Sequence, residues 1–240
     1  MPAPIAILGA TGGIGGALAR RLAARGAPLH LIGRDATRLA ALAEELHAPS
    51  AACDVTDPAA LKAAIAAAGT PLAGLAFCIG SIVMKPLARA NAADFAETFA
   101  LNATAAALAV QAAAPALAAG QGSVVLFSSV AARAGFPGHA VIGAAKAAVE
   151  GLSLALAAEL APSVRVNCIA PSLTRTGIAT PMTKNPQMAD AIAKLHPIPR
   201  LGEAEDAAAL ADFLLSDASG WITGQVIGVD GGRSSLRGRG

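Results

Sequence analysis

Ile5-Ala6-Ile7-Leu8-Gly9-Ala10-Thr11-Gly12-Gly13-Ile14-Gly15-Gly16-Ala17-Leu18 is the stretch that decides the fold. Its first four residues read as a buried strand, and its glycines read as a loop. Ile14, Ala17, Leu18 and Leu22 then recur at helical spacing. A strand, a glycine loop and a helix start in that order make a phosphate site. Glycines let the backbone come close to a pyrophosphate, and the helix start offers free N–H groups and positive dipole. The spacing is not GxGxxG; it reads as Gly9-x3-Gly13-x-Gly15 or Gly9-x2-Gly12-x2-Gly15. Gly9, Thr11, Gly12, Gly13, Ile14 and Gly15 are the candidate cofactor-binding residues here.

Outward from this stretch, strand-like runs fall near 4–9, 28–33, 50–54, 73–79, 123–128, 164–169 and 225–230. Helical patterns lie between them, near 14–25, 36–46, 58–68, 91–118, 140–160 and 204–216. The strands are apolar on both faces, which predicts an α/β fold with a parallel sheet covered on both sides. Ligands then bind at the carboxyl ends of the strands. No linker or short repeat interrupts the chain, so residues 1–240 read as one domain. Residues 171–203, rich in Pro, Thr and Gly with a short helix near 187–195, read as a lid or binding loop. The tail 233–240 reads as a frayed end.

Composition narrows the function classes. Apolar residues make up 55% and charged residues 14%, and the net charge of +2 is too small for a nucleic-acid surface. Cys53, Cys78 and Cys168 lie far apart without CxxC spacing, which points to reduced thiols and no metal site. Met1-Pro2-Ala3-Pro4 has no basic n-region. Together these suggest a cytoplasmic protein. The uncharged stretch Thr98–Ala132 contains Gly120-Gln121-Gly122 and reads as a buried helix, a turn and a strand, not a membrane span. The helical patterns at 91–118 and 140–160 are Ala/Leu-rich around most of their circumference, so partner helices are expected in a homodimer or homotetramer.

The second strand ends Gly33-Arg34-Asp35. A guanidinium suits a 2′-phosphate, whereas an acid suits ribose hydroxyls. Arg34, with Arg38 one turn on, favours NADP; NAD is the alternative if Asp35 binds ribose instead of capping the next helix. Asp54, at the end of the third strand, is placed to bond an adenine amino group, or to form a turn. His30, inside a strand, reads as a core or interface histidine.

This order of pieces resembles the short-chain dehydrogenase/reductase family over roughly residues 4–232. Gly9, Gly13 and Gly15 resemble its TGxxxGxG loop, and Asp54-Val55 its adenine-pocket pair. Asn102 is similar to its catalytic asparagine. Ser129, after Val124-Val125-Leu126-Phe127-Ser128, matches its active-site serine, and Lys146 its lysine. The segment from Pro171 to Thr176 resembles its nicotinamide-holding segment, with Ser172 in place of glycine. The resemblance implies a Rossmann-type doubly wound sheet of about seven strands in the order 3-2-1-4-5-6-7. It also implies an NADP-dependent oxidoreductase acting on a small carbonyl or alcohol, assembled as a homotetramer.

Two departures bear on the chemistry. The family's Asn-Asn-Ala-Gly appears as Phe77-Cys78-Ile79-Gly80, keeping only Gly80. Four residues before Lys146, where the family has its catalytic tyrosine, stands Ile142, and the chain contains no tyrosine. In the family that hydroxyl passes a proton to or from the substrate oxygen, with the lysine lowering its pKa. The serine polarises that oxygen, and the asparagine holds a relaying water. The candidate replacements here are His139, three residues before Ile142, and Lys146 acting through water; His196 is a weaker one. Ser128 reads as structural. The competing reading is an NADP-binding protein without redox turnover.

Overall fold

The computed structural model describes residues 2–236. Strand β1 (Ile5–Leu8) leads through the glycine loop into α1 (Gly13–Ala24), followed by β2 (Leu29–Gly33) and α2 (Ala36–Leu46). Next come β3 (Ser50–Ala52), α3 (Pro58–Ala66) and β4 (Gly74–Phe77). After β4 the chain forms α4 (Ala92–Phe99), a π-helical turn (Ala100–Thr104) and α5 (Ala105–Ala119). Then follow β5 (Ser123–Phe127), α6 (Ala140–Leu160) and β6 (Arg165–Pro171). The lid region holds β7 (Thr174–Arg175), α7 (Thr180–Thr183), α8 (Pro186–Ala193) and β8 (Gly202–Glu203). Helix α9 (Ala204–Leu214) and strand β9 (Val226–Val229) follow. The main sheet is parallel and seven-stranded, in the order β3-β2-β1-β4-β5-β6-β9. This is the predicted order, with β9 as the seventh strand.

Period-two alternation splits each strand between two cores. Ala6, Leu8, Leu75, Phe77, Val124, Leu126 and Cys168 pack with α3, α5 and α6. Ile5, Ile7, Leu29, Leu31, Val125, Phe127 and Ile169 pack with α1, α2 and α9. Both faces are thus buried, which is why the strand segments are mainly apolar on both faces. His30 is buried in β2 and packs as a core histidine. The three cysteines are unpaired. Burial pushes Cys78 and Cys168 up to about 12, so both sit as protonated thiols.

Four sequence expectations need correction. The helix expected over 91–118 is broken by the π turn at Ala100–Thr104, where Asn102 Nδ2 donates to the Thr98 carbonyl at 2.9 Å and to Ser81 Oγ at 3.0 Å. Such turns often occur at functional sites. The third strand stops at Ala52, because Asp54 accepts from the Thr56 N–H and hydroxyl and turns the chain. The lid carries two short helices, not one, and its ends are tied by pairing of β7 with β8. The tail is not frayed through Leu236. The Arg233 N–H donates to the Asp230 carbonyl at 3.1 Å and that of Leu236 to Gly232 at 2.9 Å. Residues 237–240 lie outside the described residues.

Candidate active site

The glycine loop is built for close approach. Gly9 has φ +80, which an L side chain rarely adopts, and a Cβ there would meet the Cys78 carbonyl oxygen at 2.9 Å. A Cβ on Gly15 would fall 2.2 Å from the Gly9 carbonyl oxygen. Gly13 leaves room for Thr176, whose Cγ2 would lie 2.6 Å from a Cβ. The N-cap of α1 is Gly12, and no side chain caps the helix. Its first N–H groups therefore face outward with the helix dipole behind them, a set of donors suited to a pyrophosphate.

The end of β2 adds charge to this cradle. Arg38 Nη2 donates to the Thr11 carbonyl at 2.7 Å, so a guanidinium lies against the loop. Asp35 Oδ1 accepts from the Arg38 N–H at 3.0 Å and caps α2, as its position predicted. Arg34 is exposed, and among the described residues its side chain makes no hydrogen bond or ion pair. Asp54 has one oxygen occupied by Thr56. Those bonds, with the nearby Arg34 charge, hold its carboxyl below the usual range. Val55 is buried beside it.

A cavity of about 340 Å³ opens beyond the glycine loop. It brings together Ile14, Gly80, Ser129, His139, Ile142, Lys146, Pro171 and Thr176, drawn from loop, strand end, helix and lid. Helix α6 presents Ile142 and Lys146 one turn apart on the same face, both buried. Lys146 Nζ donates to the Phe127 carbonyl at 3.0 Å. Burial pulls its pKa down to about 8. Gly80 has no side chain because the space is taken: a Cβ would lie 2.9 Å from Lys146 Nζ and 3.0 Å from Asn102 Oδ1. Asn102 Oδ1 also accepts from the Ser81 N–H at 3.3 Å. The Asn102 amide thus ties the Gly80–Ser81 loop to the π turn. Ser129 Oγ accepts from the Ala131 N–H at 3.2 Å, which leaves its own proton to donate.

The other candidates separate by geometry. Ser128 Oγ bonds the Lys146 carbonyl and Glu150 Oε1, both at 3.0 Å, fastening the end of β5 to α6. Glu150 in turn pairs with Arg133 at 2.6 Å. His139 lies at the start of α6 on the cavity wall, with Nδ1 2.9 Å from the Pro137 carbonyl. His196 is not on the wall and does not fit a proton donor. It is buried, with Nε2 2.8 Å from Ser172 Oγ and Nδ1 2.9 Å from the Ile192 carbonyl, and so pins the lid to Ser172. Sequence reasoning missed Phe136 and Arg233, which share the cavity. The Arg233 guanidinium lies 5.0 Å from the Phe136 ring centroid. The available signal was Gly231-Gly232, with φ +61 and +86, which folds the chain back there.

A family model described as enoyl-(acyl carrier protein) reductase matches residues 9–234. A tropinone reductase homolog of Arabidopsis thaliana is 33% identical over 237 residues, covering 94% of this chain and 90% of its own length. Among solved structures, a short-chain type dehydrogenase/reductase from Mycobacterium ulcerans superposes with TM-score 0.92 at 34% identity, covering 98% of this chain and 90% of that one. A gluconate 5-dehydrogenase from Burkholderia cenocepacia, in complex with NADP and tartrate, superposes with TM-score 0.91 at 28% identity, covering 98% and 96%. A 3-oxoacyl-[acyl-carrier protein] reductase from Brucella melitensis, with bound NAD, does so with TM-score 0.87 at 30% identity, covering 97% and 91%. With the glycine cradle, the sheet order and the Ser129–Lys146 cleft already described, these matches settle the family: the chain belongs to the short-chain dehydrogenase/reductases.

Proposed function

We propose that the protein is an NADP-dependent oxidoreductase for a small carbonyl or alcohol, working without the usual tyrosine. One observation carries this: Ser129 and Lys146 open on the same cavity as Ile14 of the glycine loop. Gly9, Thr11, Gly12, Gly13, Ile14 and Gly15 would hold the pyrophosphate, and Arg34 with Arg38 the 2′-phosphate. Asp54 and Val55 would border the adenine; Gly80, Lys146, Pro171 and Thr176 would border the nicotinamide end. The bound nicotinamide supplies hydride chemistry.

This chain's residues handle the oxygen and the proton. The Ser129 hydroxyl donates to the substrate oxygen. Lys146, whose pKa near 8 lies close to neutral pH, is the acid in the reduction direction and the base in the oxidation direction. His139, its Nδ1 turned to Pro137, presents Nε2 as the second candidate. Asn102 acts as a positioning residue, setting the Gly80–Ser81 loop against Lys146. We take residues 1–240 as one domain, 171–203 as its lid, and a cytoplasmic homodimer or homotetramer as the working form.

Ile142 favours the second reading, an NADP-binding protein without turnover: it is buried on the cavity wall and offers no proton. Two measurements test these. Calorimetric titration should show NADPH binding more tightly than NADH; the reverse order would contradict the Arg34 reading. A screen of carbonyl substrates should show NADPH consumption by the wild type, and consumption only after Ile142→Tyr would favour the binding protein.

A further inference from the structure

The cavity is mainly apolar, and the charged residues that line it among the described residues are Lys146 and Arg233. Ile82, Met84, Ile178, Met182 and Met188 form much of its wall, and among the described residues no Asp or Glu lines it. Met84, Ile178 and Met188 are 50%, 56% and 48% exposed, so the mouth is greasy as well as the interior. A polyol would leave its hydroxyls facing carbon there, at the cost of lost hydrogen bonds to water. Long, flexible methionine side chains suit an alkyl body of variable shape.

Arg233 sets the other requirement. It lines the cavity and lies over Phe136, 5.0 Å from the ring centroid, which fixes the guanidinium at the rim. Among the described residues its side chain makes no hydrogen bond or ion pair. Asp230, the nearby acid, is already committed: Oδ1 accepts from Gly232 N–H at 2.8 Å, and Oδ2 from the Ser234 N–H and hydroxyl. Burial draws the Arg233 pKa down and Asp230 only partly offsets this, as expected of a half-buried cation whose counter-ion is incomplete. A half-buried guanidinium over an aromatic ring, with five donors and no acceptor, is a site for a planar anion.

We infer that the substrate is an oxo- or hydroxy-carboxylic acid with an apolar body, its carboxylate paired with Arg233 and its reacting oxygen at Ser129 and Lys146. The redox half rests on the proposed oxidoreductase function; the anion half does not. Neutral sugars and polyols are then poor ligands.

Calorimetry on the purified protein, with and without NADPH, tests the anion half. The probes are 5-oxohexanoate and 7-oxooctanoate, each against its neutral methyl ester. The acids should bind about tenfold or more tightly than the esters. Arg233→Gln should abolish that preference and Arg233→Lys should keep part of it, while NADPH affinity stays unchanged in both. Equal affinity of acid and ester, a preference that survives in Arg233→Gln, or no binding of either probe would overturn the proposal. So would a parallel loss of NADPH affinity, which would place Arg233 on the cofactor. If the Arg233-dependent preference holds but no probe is reduced, the anion site stands and the redox reading fails.

Discussion

Ile142 and Lys146 share one face of α6, and the chemistry depends on which of them sets the cavity's character. Lys146 is held against the Phe127 carbonyl in a buried site, and its ammonium is destabilised there. Its folded pKa of about 8 lies below the ordinary 10.5. The unfolded chain therefore binds more protons between those values, and stability rises with pH across that window. Below pH 8 the folded state carries the full cost, on the order of 3 kcal/mol. Lys146→Met should be more stable than wild type at pH 7, and the difference should shrink toward pH 10; thermal unfolding at the two pH values measures it. An advantage independent of pH would mean the lysine is not strained by burial. Ile142→Tyr puts a phenol one turn from this amine and should raise carbonyl reduction by about 10²–10⁴. No gain in steady-state turnover would contradict the reading of position 142 as the place of a missing proton donor. The resemblance pointed to positions 129, 142 and 146, and spacing added that Ile142 and Lys146, four apart in a helix, share a face. The depressed pKa was not, since it comes from burial that the sequence does not display.

At the scale of elements, the β1–α1 unit and the β5–α6 unit face each other across the cleft, and each is tied by contacts of a different kind. The first depends on missing Cβ atoms. Gly15→Ala would drive a methyl to 2.2 Å from the Gly9 carbonyl oxygen, which backbone can relieve only by opening the loop. It should abolish NADPH binding and cost about 1–3 kcal/mol in thermal or urea unfolding. Unchanged NADPH affinity would remove the glycine loop from the cofactor site. The second unit is fastened by Ser128, which bonds the backbone of Lys146 and the Glu150 carboxylate. Ser128→Ala should destabilise by about 1 kcal/mol in urea unfolding. Element types were readable from apolar periodicity and glycine placement. The π turn around Asn102 was not: an Ala/Leu-rich helix reads as continuous, and the break arises from side-chain bonds to Thr98 and to Ser81, 21 residues away. The lid's β7–β8 pairing is equally non-local, joining Thr174–Arg175 to Gly202–Glu203.

For the whole molecule, the parallel sheet covered on both sides followed from strands apolar on both faces alternating with helices, while its strand order followed from the family resemblance. In the tail, Arg233-Ser234-Ser235-Leu236 looks like a loose end in sequence; the order of these four residues comes from Asp230 and Phe136, which lie elsewhere in the chain or only one turn back. Two helical stretches, Ala92–Ala119 and Ala140–Leu160, are apolar and long enough to cross a membrane, yet each lies along the sheet with 39% of its apolar window buried. The uncovered remainder suits packing against a second copy, so light scattering should give a multiple of 23.5 kDa. A mass of one chain would contradict this. On the proposed reading, this cleft turns over NADPH without a tyrosine. Steady-state NADPH oxidation by the wild-type protein with 5-oxohexanoate, followed from pH 6 to 10, tests it most directly. With Lys146 as the acid, oxidation should be measurable at neutral pH and fall as pH rises through about 8, and His139→Ala should leave that profile in place. No oxidation by the wild type at any pH, together with oxidation by Ile142→Tyr, would contradict it.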